Sequence, residues 1–282
     1  MDRVIKLVLS YCYWLVWRTA RAAGKWLGLR LSPTCVVLTY HGVTKQQRQR
    51  FAEQMDQVLR YVKVIPADTV EPLQGDAHYA AVTFDDAFRN FAENVLPEIT
   101  ARGIPVTLFV PTGHLGKLPG WLAGTGHEDS IEIIMTGNEI RELPEKMVMI
   151  GSHSATHRDM RRMSEAEAMR ELAESKSQLE RLIGRPVSLF SYPYGGHNDK
   201  LNALSAAAGY ERIFTNVPLL ALQTPDEFVS GRVGVSPDDW PIEFRLKLLG
   251  AYRWLPMAFA LKRKLVSILA DLTSMTRPQT AS

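Results

Sequence analysis

The chain has 282 residues, of which 46% are hydrophobic and 22% are charged, a composition typical of a globular protein. Its two cysteines, Cys12 and Cys35, exclude a disulfide framework, and both stand among apolar residues, so we expect buried thiols. The net charge of +3 is uneven, because residues 1–30 and residues 241–282 carry +5 each and the middle carries −7. Two basic ends on an acidic body indicate an anionic surface as partner, either a membrane or a nucleic acid.

Residues 1–31 are interpreted as an amphipathic N-terminal helix. The run "VIKLVLSYCYWLVW" contains Lys6 and is too short for a convincing membrane span. Basic residues recur at helical spacing beside tryptophans, which is typical of a helix that lies in a membrane interface. A signal peptide, an uncleaved anchor or a helix that only packs on protein remain open, since Ala20-Arg21-Ala22 loosely resembles a cleavage site.

From residue 35 onward, short apolar runs alternate with helical patterns. The predicted strands are "CVVLTY", "YAAVTF", "VTLFV", "MVMIGS", "VSLFSYPY", "RIF" and "FVSGRVGV". Helices are predicted between them, including 88–102, 164–183 and 199–208, and a capping box of Ser164 and Glu167 begins the second of these. Apolar strands alternating with helices indicate an α/β fold with a parallel sheet, and their number favours a barrel over an open sheet.

The pattern divides the chain into three parts. After the helix of residues 1–31 we expect a barrel over 32–236 and a basic helical segment over 237–282. The last segment either caps the barrel or lies with the first helix in a membrane interface. We therefore expect a location that is peripheral at the cytoplasmic membrane or cytoplasmic. A cleaved signal peptide would instead give a secreted or periplasmic form.

Polar residues gather directly after four of the predicted strands. They are Tyr40-His41, Asp85-Asp86, His153 with His157, and Pro193-Tyr194. In βα folds the chemistry collects where strands end, and an aspartate pair there is costly to bury unless a cation faces it. One carboxylate and two imidazoles commonly hold a catalytic Zn²⁺-type ion, which leaves the second aspartate free to accept a proton. A solvated acidic turn and structural histidines are the alternatives.

The ordered set of motifs resembles a known family. "TFDD" (83–86), "HSATH" (153–157) and "FSYPYGG" (190–196) resemble the motifs of the polysaccharide deacetylases, carbohydrate esterase family 4, over roughly residues 35–235. "LTYHGV" (38–43) resembles the branch of exopolysaccharide-cluster and poly-N-acetylglucosamine deacetylases. The resemblance implies the NodB-homology fold, a distorted (β/α) barrel of about seven strands.

The resemblance also implies roles and a reaction. Asp86, His153 and His157 match the metal ligands, and the ion we expect first is Zn²⁺, with other divalent ions open. Asp85 matches the catalytic base, and the backbone N–H of Tyr194 matches the oxyanion-binding amide. The implied reaction removes the N-acetyl group from an amino sugar in a polysaccharide or a lipid-linked precursor. The partners expected are this carbohydrate and a membrane contacted through the basic termini, without nucleic acid.

Two departures concern the residues around the base and the substrate. Ala87 stands where the family has a glycine, and Ser191 stands where an arginine braces the base. Arg232, on the last predicted strand, either replaces that arginine or forms a surface salt bridge. With Pro193 and Tyr194, it is also our candidate for substrate binding.

A third departure concerns the general acid. The last histidine is His197, so the late histidine that many members use is absent. His41 is the candidate that replaces it, because a closed barrel would bring the end of the first strand beside the last. Imidazole can protonate a leaving amine near neutral pH.

Other functions remain open at this point. The chain could be a deformylase of a lipid-linked amino sugar. Ser191 and the absent late histidine would also suit a non-catalytic saccharide-binding relative. The retained Asp85 favours an enzyme, because a binding protein has no need of a base. Trp121, in the long loop before the fourth strand, either stacks on a sugar or packs within its loop.

Overall fold

The structure, a computed structural model, describes residues 2–275. Its strands are β1 (Thr34–Tyr40), β2 (Lys63–Val64), β3 (His78–Phe84), β4 (Val106–Val110), β5 (Val148–Ser152), β6 (Leu189–Ser191), β7 (Arg212–Phe214), β8 (Val229–Ser230) and β9 (Val233–Gly234). Its α-helices are α1 (Arg3–Trp26), α2 (Arg48–Tyr61), α3 (Leu96–Arg102), α4 (Gly137–Arg141), α5 (Glu165–Ile183), α6 (Asp199–Ala207), α7 (Pro241–Leu248) and α8 (Leu255–Met275). The pairings between these strands are parallel, which confirms the predicted α/β class.

The sheet curls so strongly that its two edge strands, β8 and β9, are nearly consecutive in sequence. The strand order is β8-β7-β6-β5-β4-β3-β1-β9, with β2 beside β3. Only Gly231 and Arg232 separate β8, which pairs with β7, from β9, which pairs with β1. Glycine is required at 231, because a Cβ there would lie 2.5 Å from the Val217 carbonyl oxygen. The predicted distorted barrel is confirmed, with β1 beside the last strand.

Two apolar cores fill the inside and the outside of the curled sheet. β1 is buried at all its positions, as expected for a strand covered on both faces. Cys35, Phe109 and Phe214 belong to the inner core, while α2 and α5 pack on the outer one. Burial of Cys35 raises the pKa of its thiol to about 12. Its buried state is therefore as predicted, but Cys12 is exposed on α1, so that prediction was wrong.

Local signals explain where most elements begin and end. The Ser164–Glu167 capping box is present at the start of α5, and Gly184 ends that helix in the left-handed conformation. The predicted helix over 88–102 differs, because Phe91–Val95 is π-helical before α3 begins. β6 is shorter than predicted, because the chain turns into a 3₁₀ turn over Pro193–Gly195.

The terminal helices flank the barrel. Arg3 of α1 donates to the Asp238 carbonyl just after β9, whereas Arg21 donates to the carbonyls of Ser32 and Asp76, just before β1 and β3. α1 therefore runs antiparallel to β1. Among the described residues, no helix combines the length and apolar character needed to cross a bilayer.

Candidate active site

The motif residues meet at the carboxyl ends of adjacent strands. The Asp85 amide donates to the Tyr40 carbonyl at the end of β1, over 2.9 Å. The His153 amide donates to the Val110 carbonyl at the end of β4, over 3.0 Å. These bonds continue the strand pairing by one residue, so the register of the sheet fixes where the aspartates and histidines stand.

Asp86, His153 and His157 form a buried cluster. Oδ1 of Asp86 lies 3.1 Å from Nε2 of His157 and 3.6 Å from Nε2 of His153. The ligand atoms of all three residues lie within 4.8 Å of one another. Among the described residues, this buried Oδ1 has no hydrogen-bond donor of acceptable geometry. A buried carboxylate without a donor, facing two imidazole nitrogens, is completed by a cation, so these residues fit a divalent metal ion.

The surroundings of His153 suit its side chain to bind a metal ion. Its Nδ1 lies 2.7 Å from the Ser191 carbonyl oxygen, which only accepts, so Nδ1 carries the hydrogen and Nε2 presents a lone pair. Burial lowers the pKa of His153 to about 4. The ring is therefore neutral near pH 7, the form that binds metal.

Strained backbone marks the same region. Outside glycine, six described residues have positive φ, and five of them belong to or adjoin the motifs: Asp86 (71°), Ala87 (52°), Ser154 (63°), His157 (55°) and Tyr194 (60°). Such a conformation costs about 1–2 kcal/mol for each residue with a Cβ and is retained where surrounding structure imposes it. The positive φ also gives a reason for a glycine at position 87, and Ala87 adopts the conformation at that cost.

Asp85 is held by an arginine from the far end of the sequence. Its Oδ1 and Oδ2 each accept from Arg232, from Nη1 and Nη2 over 2.7 Å. The same Nη2 donates to Ser191 Oγ over 2.7 Å. Burial acts to raise the pKa of Asp85, but the Arg232 charge and, after it, His153 outweigh burial and hold that pKa well below its usual range. Asp85 is therefore a buried, charged carboxylate beside the Asp86 cluster.

The placement of Arg232 decides between the two structural roles predicted for it. The side chain is 0% exposed, so it does not form a surface salt bridge, and its role in substrate binding stays a prediction. The reason is the split last strand, which turns the guanidinium into the barrel above Phe109 and Phe214, at 5.4 and 5.9 Å from their ring centres. There it braces Asp85 from the side where Ser191, with its short side chain, leaves space.

His41 is exposed at the rim of the site, directly after β1. Burial acts to raise the pKa of Asp86, but the interactions with His157, His41 and His153 outweigh burial, so this pKa is lowered from its ordinary value. His41 also contributes to the low pKa of Asp85, after burial, Arg232 and His153. The imidazole therefore lies within electrostatic reach of both aspartates, and its role as acid stays a prediction.

An aromatic cleft of about 810 Å³ opens beside His157. The Trp121 ring stacks on the His157 ring at 3.8 Å, and the Tyr194 ring meets it edge-on at 5.1 Å. Trp121 thus packs on a site residue and also lines the cleft, which sequence reasoning left undecided. Tyr194 is 55% exposed, whereas Pro193 is buried and its substrate-binding role stays a prediction.

The turn after β6 leaves one amide as the oxyanion donor candidate. The Gly195 and Gly196 amides donate to the Tyr192 and Pro193 carbonyls. A Cβ at Gly195 would lie 2.7 Å from the Asn216 backbone nitrogen, so the turn packs tightly against the chain that follows β7. The Tyr194 amide, which precedes these two, remains the candidate donor.

Comparison with known proteins identifies the family of the chain. The sequence profile described as polysaccharide deacetylase matches residues 73–213, half of the chain. YxkH of Bacillus subtilis is 24% identical over 156 residues, which are 55% of this chain and 51% of YxkH. The peptidoglycan-N-acetylmuramic acid deacetylase PdaC of the same species is 28% identical over 137 residues, which are 48% of this chain and 25% of PdaC. The chain thus spans about half of one curated relative and a quarter of the other.

Solved structures share the fold. IcaB from Ammonifex degensii superposes with a TM-score of 0.63 at 23% identity, covering 77% of this chain and 98% of IcaB. The Streptococcus pyogenes deacetylase PplD, solved with acetate, gives 0.62 at 17% identity, covering 76% of this chain and 98% of PplD. With the profile matched over half of its length and this fold, the chain belongs to the polysaccharide deacetylase family.

Proposed function

We propose that this chain is a metal-dependent hydrolase that removes the N-acetyl group from an amino sugar in a polysaccharide or a lipid-linked saccharide precursor. The observation that carries the proposal is the buried cluster of Asp86, His153 and His157 beside the charged carboxylate of Asp85. The relatives support the acyl group, since PdaC is named as an N-acetylmuramic acid deacetylase and PplD was solved with acetate.

The residues present suit each part of amide hydrolysis. A divalent ion held by Asp86, His153 and His157, Zn²⁺ first among the candidates, would polarise the amide carbonyl and lower the pKa of a bound water. Asp85, kept charged by Arg232, accepts the proton of the attacking water. The Tyr194 amide donates to the oxyanion that forms on the carbonyl oxygen.

The leaving amine needs a proton, because an amide anion is a poor leaving group. His41 is exposed at the rim and lies within electrostatic reach of both aspartates. We assign the role of general acid to its imidazole, which can hold a proton near neutral pH. The sugar itself would lie in the cleft, where Trp121 and Tyr194 offer aromatic surface.

The test is to incubate the metal-loaded chain with short N-acetylglucosamine oligomers, and with their N-formyl counterparts, and to measure released acetate and formate. Acetate release that depends on Asp85 supports the proposal, and the matched control is Asp56→Asn, an exposed aspartate outside the site. Formate release without acetate would identify a deformylase. Oligomer binding without release of either acid would identify a saccharide-binding relative.

A further inference from the structure

The N-terminal helix α1 turns three of its basic side chains, Arg3, Arg21 and Lys25, toward the barrel. Arg3 pairs with Glu243 of α7 over 2.7 Å, and Lys25 pairs with Asp76 over 2.8 Å. Ser10, in the middle of the helix, is fully buried and accepts from the Trp254 indole over 2.9 Å. The polar face of α1 is therefore its contact with the protein.

The outward face of α1 carries no charge. It consists of residues that are all exposed: Val4, Ile5, Val8, Leu9, Tyr11, Cys12, Leu15, Val16, Thr19, Ala22, Ala23 and Trp26. At the helical repeat of 3.6 residues per turn they share one arc of about 160°. Val16 is 70% exposed and Trp26 is 85% exposed. A surface helix of a soluble protein has the opposite orientation, so this face is suited to an apolar contact.

The second terminal helix extends this surface. Met257, Phe259, Leu261 and Val266 of α8 are exposed. Phe259 and Lys6 line the same cleft, which places the start of α8 beside the start of α1. Two helices that are far apart in sequence thus present apolar side chains in one region of the surface.

The charges around this surface are positive. Near the two terminal helices, the basic side chains without a carboxylate partner among the described residues include Lys6, Arg18, Arg30, Lys262 and Arg263. The sole acidic residue in 1–30 is Asp2. Docking of two copies through this face would bring these like charges together, whereas a bilayer with anionic headgroups would neutralise them.

We propose that the outward face of α1 lies in the interface of an anionic lipid bilayer, with the exposed residues of α8 beside it. The apolar side chains enter the boundary between headgroups and acyl chains, and the unpaired basic side chains at the margins contact the headgroups. The sequence predicted a membrane contact through the basic termini, and this proposal assigns that contact to the apolar face of α1. Because α1 runs antiparallel to β1, the strands of the barrel would run roughly along the membrane surface. The site at their carboxyl ends would then open along that surface.

The experiment measures sedimentation of the full chain with phosphatidylcholine vesicles that contain or lack phosphatidylglycerol. The test variant carries Val8→Glu and Val16→Glu, which place two carboxylates in the outward face. The control variant carries Val70→Glu and Leu118→Glu, two exposed apolar residues away from the terminal helices, and has the same change of net charge. Thermal unfolding midpoints verify that both variants fold.

We expect the chain to bind the anionic vesicles and the test variant to bind at least about tenfold more weakly, while the control variant changes less than about twofold. Absence of vesicle binding by the unaltered chain would overturn the proposal, as would equal losses in the two variants. If the unaltered chain forms dimers and does not bind vesicles, and the test variant is monomeric, the face would instead be assigned to contact with a second copy of the chain. Acetate release from soluble oligomers should not change in the test variant, so this test is independent of the proposed reaction.

Cys12 offers a second measurement on the same face. Its thiol is exposed, whereas Cys35 is buried, so a polarity-sensitive fluorophore can be attached at Cys12 alone. We expect its emission to shift to the blue when anionic vesicles are added. The same fluorophore at Val70→Cys, in a Cys12→Ser chain, should not respond. A response at both positions, or at neither, would contradict the assigned face.

Discussion

Asp85 and Arg232 form a fully buried bidentate pair, with both nitrogen–oxygen distances at 2.7 Å, although 147 residues separate them in the chain. The pair exists because the last strand divides at Gly231-Arg232 and the first strand lies beside its second half. Ser191 accepts a hydrogen bond from the same guanidinium, so the position where the family has its arginine now supports an arginine from another strand. Asp85, the proposed base, is thus braced by an arginine from the last strand of the barrel.

Replacing Arg232 should change the pH dependence of the reaction. Burial acts to raise the pKa of Asp85 and the Arg232 charge acts to lower it. The substitution Arg232→Gln removes that charge while Asp85 stays buried, so the pKa of Asp85 should rise. The carboxylate form needed as base is then lost at a higher pH, and the acid limb of the profile of kcat/KM should move upward. The control is Arg48→Gln, a surface partner of Glu98. An acid limb at the same pH in both variants would show that Arg232 does not set the charge of Asp85.

Asp85→Asn should separate metal binding from turnover. The carboxamide keeps the size of the side chain but cannot accept a proton, and loss of a general base typically costs about 10²–10⁴-fold. Metal content measured by elemental analysis should stay at the unaltered level, because the proposed ligands are Asp86, His153 and His157. Full activity with metal retained would mean that the roles of the two aspartates are misassigned.

His41→Ala tests the proposed acid. If the imidazole protonates the leaving amine, kcat should fall while metal affinity stays unchanged. An activated ester, whose leaving group needs no proton, should be hydrolysed at nearly the original rate. Equal losses on amide and ester would assign His41 a structural role.

The two cysteines should differ in reactivity. Cys12 is exposed, whereas burial raises the pKa of Cys35 to about 12, which leaves it as an unreactive thiol at neutral pH. A disulfide reagent should therefore titrate one thiol in the native chain and two after unfolding. Rapid reaction of both thiols under native conditions would contradict the packing of the inner core.

Much of the fold follows from local signals in the sequence. Fully apolar strands and the Ser164–Glu167 capping box predict elements that the structure contains, because each depends on neighbours along the chain. The α4 helix was missed, although Thr136 and Glu139 form a capping box at its start. It has only five residues, too few to show a period.

The site was predicted in part, for a physical reason. The carboxyl ends of parallel strands meet at one edge, so strand-end residues such as Asp86 and His153 can be grouped from sequence. The direction of the Arg232 side chain depends on the point where the last strand divides, which is a property of barrel closure. The orientation of α1 likewise depends on partners such as Glu243 and Trp254, more than two hundred residues away.

The most direct test of the proposed reaction is to titrate the metal-free chain with Zn²⁺ while measuring acetate release from N-acetylglucosamine oligomers. We expect activity to rise in step with occupancy and to saturate at one ion per chain. His153→Ala and His157→Ala should bind the ion weakly and release little acetate. Acetate release that is independent of the ion, or an ion that binds equally well without both histidines, would contradict the assignment of Asp86, His153 and His157 as the metal centre of the proposed deacetylase.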